Sequence, residues 1–107
     1  MNVITNDNIR CNIALAALKN VMDPEIGLNI VDLGLIYQMD FDERKKKVYC
    51  SMTLTTQFCP MGESISTGVR NALQNVFKQD VIEVILTFDP PWNHEQISEE
   101  GKIFLNK

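Results

Sequence analysis

Apolar positions recur at helical spacing over residues 7–22. Cys11, Ala14, Leu15, Leu18, Val21 and Met22 share one face there. Thr5, Asn6 and Asp7 each offer an N-cap side chain. Asp23-Pro24 stops this helix, because the residue before proline is pushed out of the α region. A loop over 24–33 follows, punctuated by Gly27 and Gly34. The period then shortens to two. Residues 35–41 predict a strand with Leu35, Tyr37, Met39 and Phe41 on one face. Residues 42–46 predict a polar turn. Residues 47–55 predict a second strand, with Val48, Cys50, Met52 and Leu54 on one face and Tyr49, Ser51 and Thr53 on the other. So short a connection makes the two strands an antiparallel hairpin.

Helical spacing returns over 60–78, where Ile65, Val69, Ala72, Leu73, Val76 and Phe77 form a stripe. Residues 81–88 predict a third strand, ended by Asp89-Pro90-Pro91-Trp92. In the tail, Ser98-Glu99-Glu100 precedes Ile103 and Leu105 and predicts a capped helical turn packing back on the domain. The order α-β-β-α-β defines an α+β fold: a two-layer sandwich, with helices on one face of a small mixed sheet. Tyr49, Ser51 and Thr53 then fall on the other face, exposed or used for association. A crossover helix between strands two and three makes them parallel. The loops carrying Asp23, Glu25 and Asp32, Thr55 to Cys59, and Asp89 to Trp92 therefore converge at one end. The basic turn Arg44-Lys45-Lys46-Lys47 lies at the other, about 25 Å away at strand rise.

At 107 residues, the chain is expected to form a single domain, 1–107. A net charge of −4 argues against nucleic acid as a partner, since phosphate binding needs a positive field. No apolar run approaches a membrane span, and the N-terminal residues lack a signal-peptide pattern. The expected location is cytoplasmic. Cys11, Cys50 and Cys59 are an odd set without a CxxC, which argues against a disulfide scaffold and a self-contained zinc site.

Cys11 and Cys50 sit on apolar faces at the right period and read as core. Cys59 precedes Pro60 at a helix start. An N-cap thiol there meets unpaired amides and the positive end of the helix dipole, both of which favour thiolate. The alternative is a small buried hydrophobe. Thr55 and Thr56 supply hydroxyls nearby. Asp23 and Glu25 read either as bases or hard-metal ligands, or as an Asx turn before Pro24 beside a solvated glutamate. Asp32 reads as a cap or brace at the entry to the first strand. Trp92 reads as a core or lid aromatic, and His94, the one histidine, as an exposed residue near the Cys59 loop. Residues 44–47 read as a solvated turn.

Four segments occur in order: Asp23-Pro24-Glu25-Ile26-Gly27, Ile30-Val31-Asp32-Leu33-Gly34-Leu35-Ile36-Tyr37, Thr53-Leu54-Thr55-Thr56-Gln57-Phe58-Cys59-Pro60-Met61 and Asp89-Pro90-Pro91-Trp92. Together they resemble the SufT/PaaD-like family of iron–sulfur (metal–sulfur) cluster assembly accessory proteins. The resemblance implies a domain similar to the C-terminal domain of NifU-type scaffolds and a role in maturing iron–sulfur proteins. It places the functional cysteine at Cys59, with Thr55, Thr56, Asp23 and Glu25 around it. One cysteine cannot complete a cluster held by four thiolates. The expected function is thus an adaptor or transient carrier, with Cys59 as partial ligand or transfer point for a transient cluster or iron. Its expected partners are the assembly machinery, apo client proteins and a second copy of the chain. The enzymatic alternative is a thiol-dependent transferase or hydrolase, with Cys59 as nucleophile and Asp23, Glu25 or His94 as base.

Overall fold

A computed structural model describes residues 3–56 and 62–106. The chain opens with a short strand, β1 (Ile4–Thr5), and a helix, α1 (Asn8–Leu18). Of the three candidate caps, Asp7 does the work: its side chain accepts the Arg10 amide at 3.1 Å. Cys11, Ala14 and Leu18 point inward and are buried. The helix stops earlier than the proline signal marks. The Asn20 and Val21 amides close tighter bonds to the Ala17 and Leu18 carbonyls, and the Val21 carbonyl then accepts from Ile30. Met22–Asp23 becomes a strand, β2, antiparallel to β3 (Leu28–Asn29), inside what the sequence presents as loop. Met22 thereby leaves the apolar face and is about half exposed, at 49%. Proline sets the latest end a helix can have; here a competing strand pairing ends it sooner.

The expected hairpin forms from β4 (Ile36–Asp42) and β5 (Lys47–Met52), with Met39 opposite Cys50 and Phe41 opposite Val48. Asp42 Oδ1 accepts the Lys45 amide, and Lys46 adopts a left-handed φ of 52° to close the turn. Two facing assignments change. The register shifts between Ile36 and Gln38, so Ile36 joins the core and Tyr37 does not follow Met39 and Phe41 inward. Thr53, expected on the open face, is fully buried just beyond the end of β5. Its amide donates to the Leu35 carbonyl at 2.8 Å, which carries the strand pairing across the chain entry. Tyr49 and Ser51 do lie on the face away from the core and are half-buried.

Helix α2 (Gly62–Val76) covers the sheet with Ile65, Val69 and Leu73, and leads into β6 (Val81–Leu86). β6 runs parallel to β5, as the crossover requires, and the four-stranded mixed sheet has the order β1-β4-β5-β6. β1 was not legible: it is two residues long and parallel to β4. The Asn6 side chain extends that pairing by donating to the Phe41 carbonyl and accepting the Phe41 amide, both at 3.0 Å. The observed α+β sandwich is therefore the expected one, with these small strands added.

The tail folds back as a 3-10 turn (His94–Gln96) and a helix, α3 (Glu99–Leu105), whose N-cap Ser98 accepts the Gly101 amide at 3.0 Å. Its docking differs from expectation. Ile103 and Leu105 are exposed, at 64% and 40%. Contact runs instead through buried Ile97 and Gly101, where an added Cβ would meet Ile97 and Leu28 at under 3 Å. A short helix docks closely when it presents a glycine rather than a long side chain.

Candidate functional site

Three segments meet at the end of the sheet where β4 begins and β5 and β6 finish. The Thr53 amide reaches Leu35, and the Thr87 amide reaches the Met52 carbonyl at 2.9 Å. The Trp92 indole donates to the Leu33 carbonyl, and the Tyr37 hydroxyl donates to the Pro90 carbonyl at 2.8 Å. Of the expected convergence, the segments around Leu33 to Tyr37, Thr53 and Thr87 to Trp92 are seen to meet. Asp23 and Glu25 sit on the separate β2–β3 hairpin, and the part of the Thr55 to Cys59 loop beyond Thr56 lies outside the described residues. Trp92 is half-buried against the core and packs edge-on against His94, with ring centroids 5.1 Å apart. The basic turn lies at the other end of the hairpin, where the Lys47 ammonium pairs with Glu83 at 3.4 Å.

Each candidate residue has a definite place. Asp23 is buried at 1% exposure, and its Oδ1 accepts the Glu25 and Ile26 amides at 2.9 and 3.3 Å. This is the Asx turn that a short acid before proline favours, and it holds the β2–β3 hairpin. Glu25 is exposed on that turn. Thr55 is half-buried and Thr56 exposed, immediately before the segment that leads to α2. Cys59, with Gln57, Phe58, Pro60 and Met61, lies outside the described residues.

Asp32 does more than brace a strand. One carboxylate oxygen accepts the Asn29 side-chain amide at 2.7 Å, and the other accepts the Ser98 hydroxyl at 2.9 Å. The Asp32 carbonyl also accepts the Ser98 amide at 2.7 Å. The acid therefore ties the loop at the site to the start of α3. Tyr37 and Gln96 were not legible as site residues. Gln96 donates from its side-chain nitrogen to the Tyr37 hydroxyl at 3.1 Å, beside Gly34. A cavity of about 500 Å³ opens here between Gly34, Tyr37 and the 95–99 segment, with Lys102 at its rim. Among the described residues no three His, Cys, Asp or Glu side chains come together as metal ligands.

Cys11 and Cys50 are both buried in the core as expected. Burial pushes the Cys11 thiol above its ordinary 9.0. Burial, with a smaller contribution from nearby Cys11, pushes Cys50 up to about 12. In the native chain at pH 8, iodoacetamide should therefore leave both unlabelled, and unfolding should expose both; peptide mass spectrometry reads the difference. The same shift fixes a sign. Above about pH 9 an unfolded Cys50 ionises while the folded one keeps its proton to about 12. The unfolded chain then binds fewer protons, so stability falls with rising pH, by at most about 1.4 kcal/mol per unit from this group. Urea midpoints between pH 9 and 11 should drop more for wild type than for Cys50→Ala. Equal drops would contradict the buried thiol.

A mixed sheet with helices packed on it and three segments gathered at one end defines a small α+β domain. The family model described as iron-sulfur cluster assembly protein matches residues 14–86, and the chain belongs to that SufT/PaaD-like family. Among individual proteins, it is 38% identical over 91 residues to the Fe-S protein maturation auxiliary factor YitW of Bacillus subtilis, covering 85% of this chain and 88% of YitW. It is 38% identical to the Fe-S protein maturation auxiliary factor SufT of Staphylococcus aureus, covering 79% of this chain and 96% of SufT. The fold matches a solved domain of unknown function from Bacillus anthracis with a TM-score of 0.83 and 40% identity, over 89% of this chain and 90% of that one.

Proposed function

We propose that the chain is an accessory factor in iron–sulfur cluster assembly, acting as an adaptor or transient carrier in the maturation of client proteins. Cys59 serves as partial ligand or transfer point, and iron or a cluster is cargo. Support comes from the family and from relatives that carry the name of maturation auxiliary factors. The observation that carries the role of Cys59 is the fate of the other two thiols. Cys11 and Cys50 are 4% and 0% exposed and have raised pKa values, so thiolate chemistry in this chain falls to Cys59. A thiolate is the soft ligand iron–sulfur chemistry requires. One per chain leaves the remaining ligands to a second copy, an external thiol or the client. Thr55 and Thr56 precede Cys59 in the chain and supply hydroxyls on its N-terminal side. Asp23, with Glu25 on its turn, shapes the β2–β3 hairpin. The working location is the cytoplasm, and the working partners are assembly proteins and apo clients.

Anaerobic reconstitution with iron and sulfide tests the reading. Wild type should gain visible charge-transfer absorbance with less than one cluster per chain, accompanied by a rise in particle mass. Cys59→Ser should gain neither. Equal absorbance in the two proteins would remove Cys59 from the ligand set.

A further inference from the structure

The sheet order leaves β6 with one open edge. The ladder fixes which backbone groups face it. The Val81 amide donates to the Lys46 carbonyl at 2.8 Å and the Thr87 amide to the Met52 carbonyl at 2.9 Å. Odd-numbered residues of this strand therefore turn their amides and carbonyls toward β5. Ile82, Val84 and Leu86 turn theirs to the open edge, where no described residue pairs with them. The side chains of the same three residues line a groove of about 230 Å³, whose other wall is Ser66, Thr67 and Arg70 of α2. Edge strands are ordinarily blunted by proline, by charged side chains, by short length or by a covering segment; the one charge of β6, Glu83, is already paired with Lys47 of β5. β6 has six residues and no proline, and Val81, Ile85 and Leu86 are 55%, 46% and 43% exposed. The opposite edge, β1, is only two residues long.

We propose that the edge of β6 and its groove accept an extended segment of a partner protein as an added strand. Alternate apolar side chains of that segment enter the groove, and one of its carboxylates meets Arg70. Strand addition draws affinity from main-chain hydrogen bonds and specificity from the pockets that alternate side chains fill. Arg70 decides the kind of segment. It is the one charged residue of the groove wall, and no ion pair engages it among the described residues. A second copy fits less well. Pairing two β6 strands about Val84 sets Ile82 against Leu86 but brings a second Arg70-lined groove instead of an acid. The strand edge carries this assignment by itself. Only the identity of the partner, a client or an assembly protein, rests on the accessory-factor reading.

Amide NMR of the full chain tests it, with a blocked peptide alternating valine and threonine around one central aspartate as probe. A counterpart with lysine at the centre is the control. Shifts should concentrate at Ile82, Val84, Leu86 and the 66–70 turn of α2. The aspartate peptide should bind about five-fold more tightly than the lysine peptide, the scale of one exposed ion pair. Val84→Pro removes an outward amide at a position an edge strand tolerates, and should abolish binding. Arg70→Ala should retain binding and lose the preference. No shifts at millimolar peptide, shifts elsewhere, or equal affinities for the two peptides would overturn the assignment. So would peptide-independent dimerisation through β6, which gives the edge to a second copy. None of these readouts involves iron or sulfide, so a failed reconstitution leaves them standing.

Discussion

Replacing Gly34 with alanine should lower the unfolding free energy by about 2–4 kcal/mol, the combined scale of a left-handed backbone penalty and a core collision. Gly34 has a φ of +77°, where an L side chain is strained. Its Cβ position is also occupied: an added methyl would collide with the Gln96 backbone carbonyl and crowd the Gln96 Cβ. A backbone cannot swing aside like a side-chain tip, so relief requires the whole 94–97 turn to move. That turn carries Ile97 and leads to Ser98, which is bound to Asp32. Gly27 provides an internal control. Its φ is +80°, yet nothing lies within 4 Å of its Cβ position. Gly27→Ala should cost only about 1 kcal/mol, the conformational part alone. Urea unfolding of the two variants separates strain from collision. For a domain of this size, the Gly34 variant should melt at least about 10 °C lower. Equal losses at the two glycines would show that the tail does not press on Gly34.

The two glycines illustrate how far the sequence could be read. Both mark turns, and composition alone does not distinguish them; the difference is a contact with a residue 62 positions away. The long elements were legible because their periods are long enough to count: Ile65, Val69 and Leu73 on α2, and Val48, Cys50 and Met52 on β5. The short strands were not. Two residues such as Ile4–Thr5 have no period, and their partners are supplied by tertiary pairing. The misplacement of Tyr37 and Thr53 has one cause. Strict alternation assumes an unbroken ladder, whereas a register shift at Ile36–Gln38 and the Thr53–Leu35 bond redirect side chains at the strand ends. These irregularities cluster where the three segments meet, so the place least readable from periodicity is the candidate site itself. Asp23 shows the opposite case. Its local chemistry before Pro24 predicts an Asx turn, and the turn forms.

Cys59→Ser should reduce maturation of an iron–sulfur client by about tenfold or more while leaving thermal stability nearly unchanged. Serine differs by one atom and keeps a polar side chain, so on the proposed reading the substitution removes the soft ligand and little else. The informative comparison is with Cys50→Ser. Cys50 is fully buried in the sheet between Val48 and Met52, and a hydroxyl there must find a partner or pay about 1–3 kcal/mol for its lost hydration. That variant should melt lower but mature client at the wild-type rate per folded molecule. Client enzyme activity, measured after anaerobic incubation with each variant at a temperature where all three proteins are folded, gives the comparison directly. Opposite effects from the two substitutions separate a thiol that transfers from a thiol that packs. Full maturation by Cys59→Ser would leave the chain an adaptor that works through its surfaces, with β6 the first surface to test.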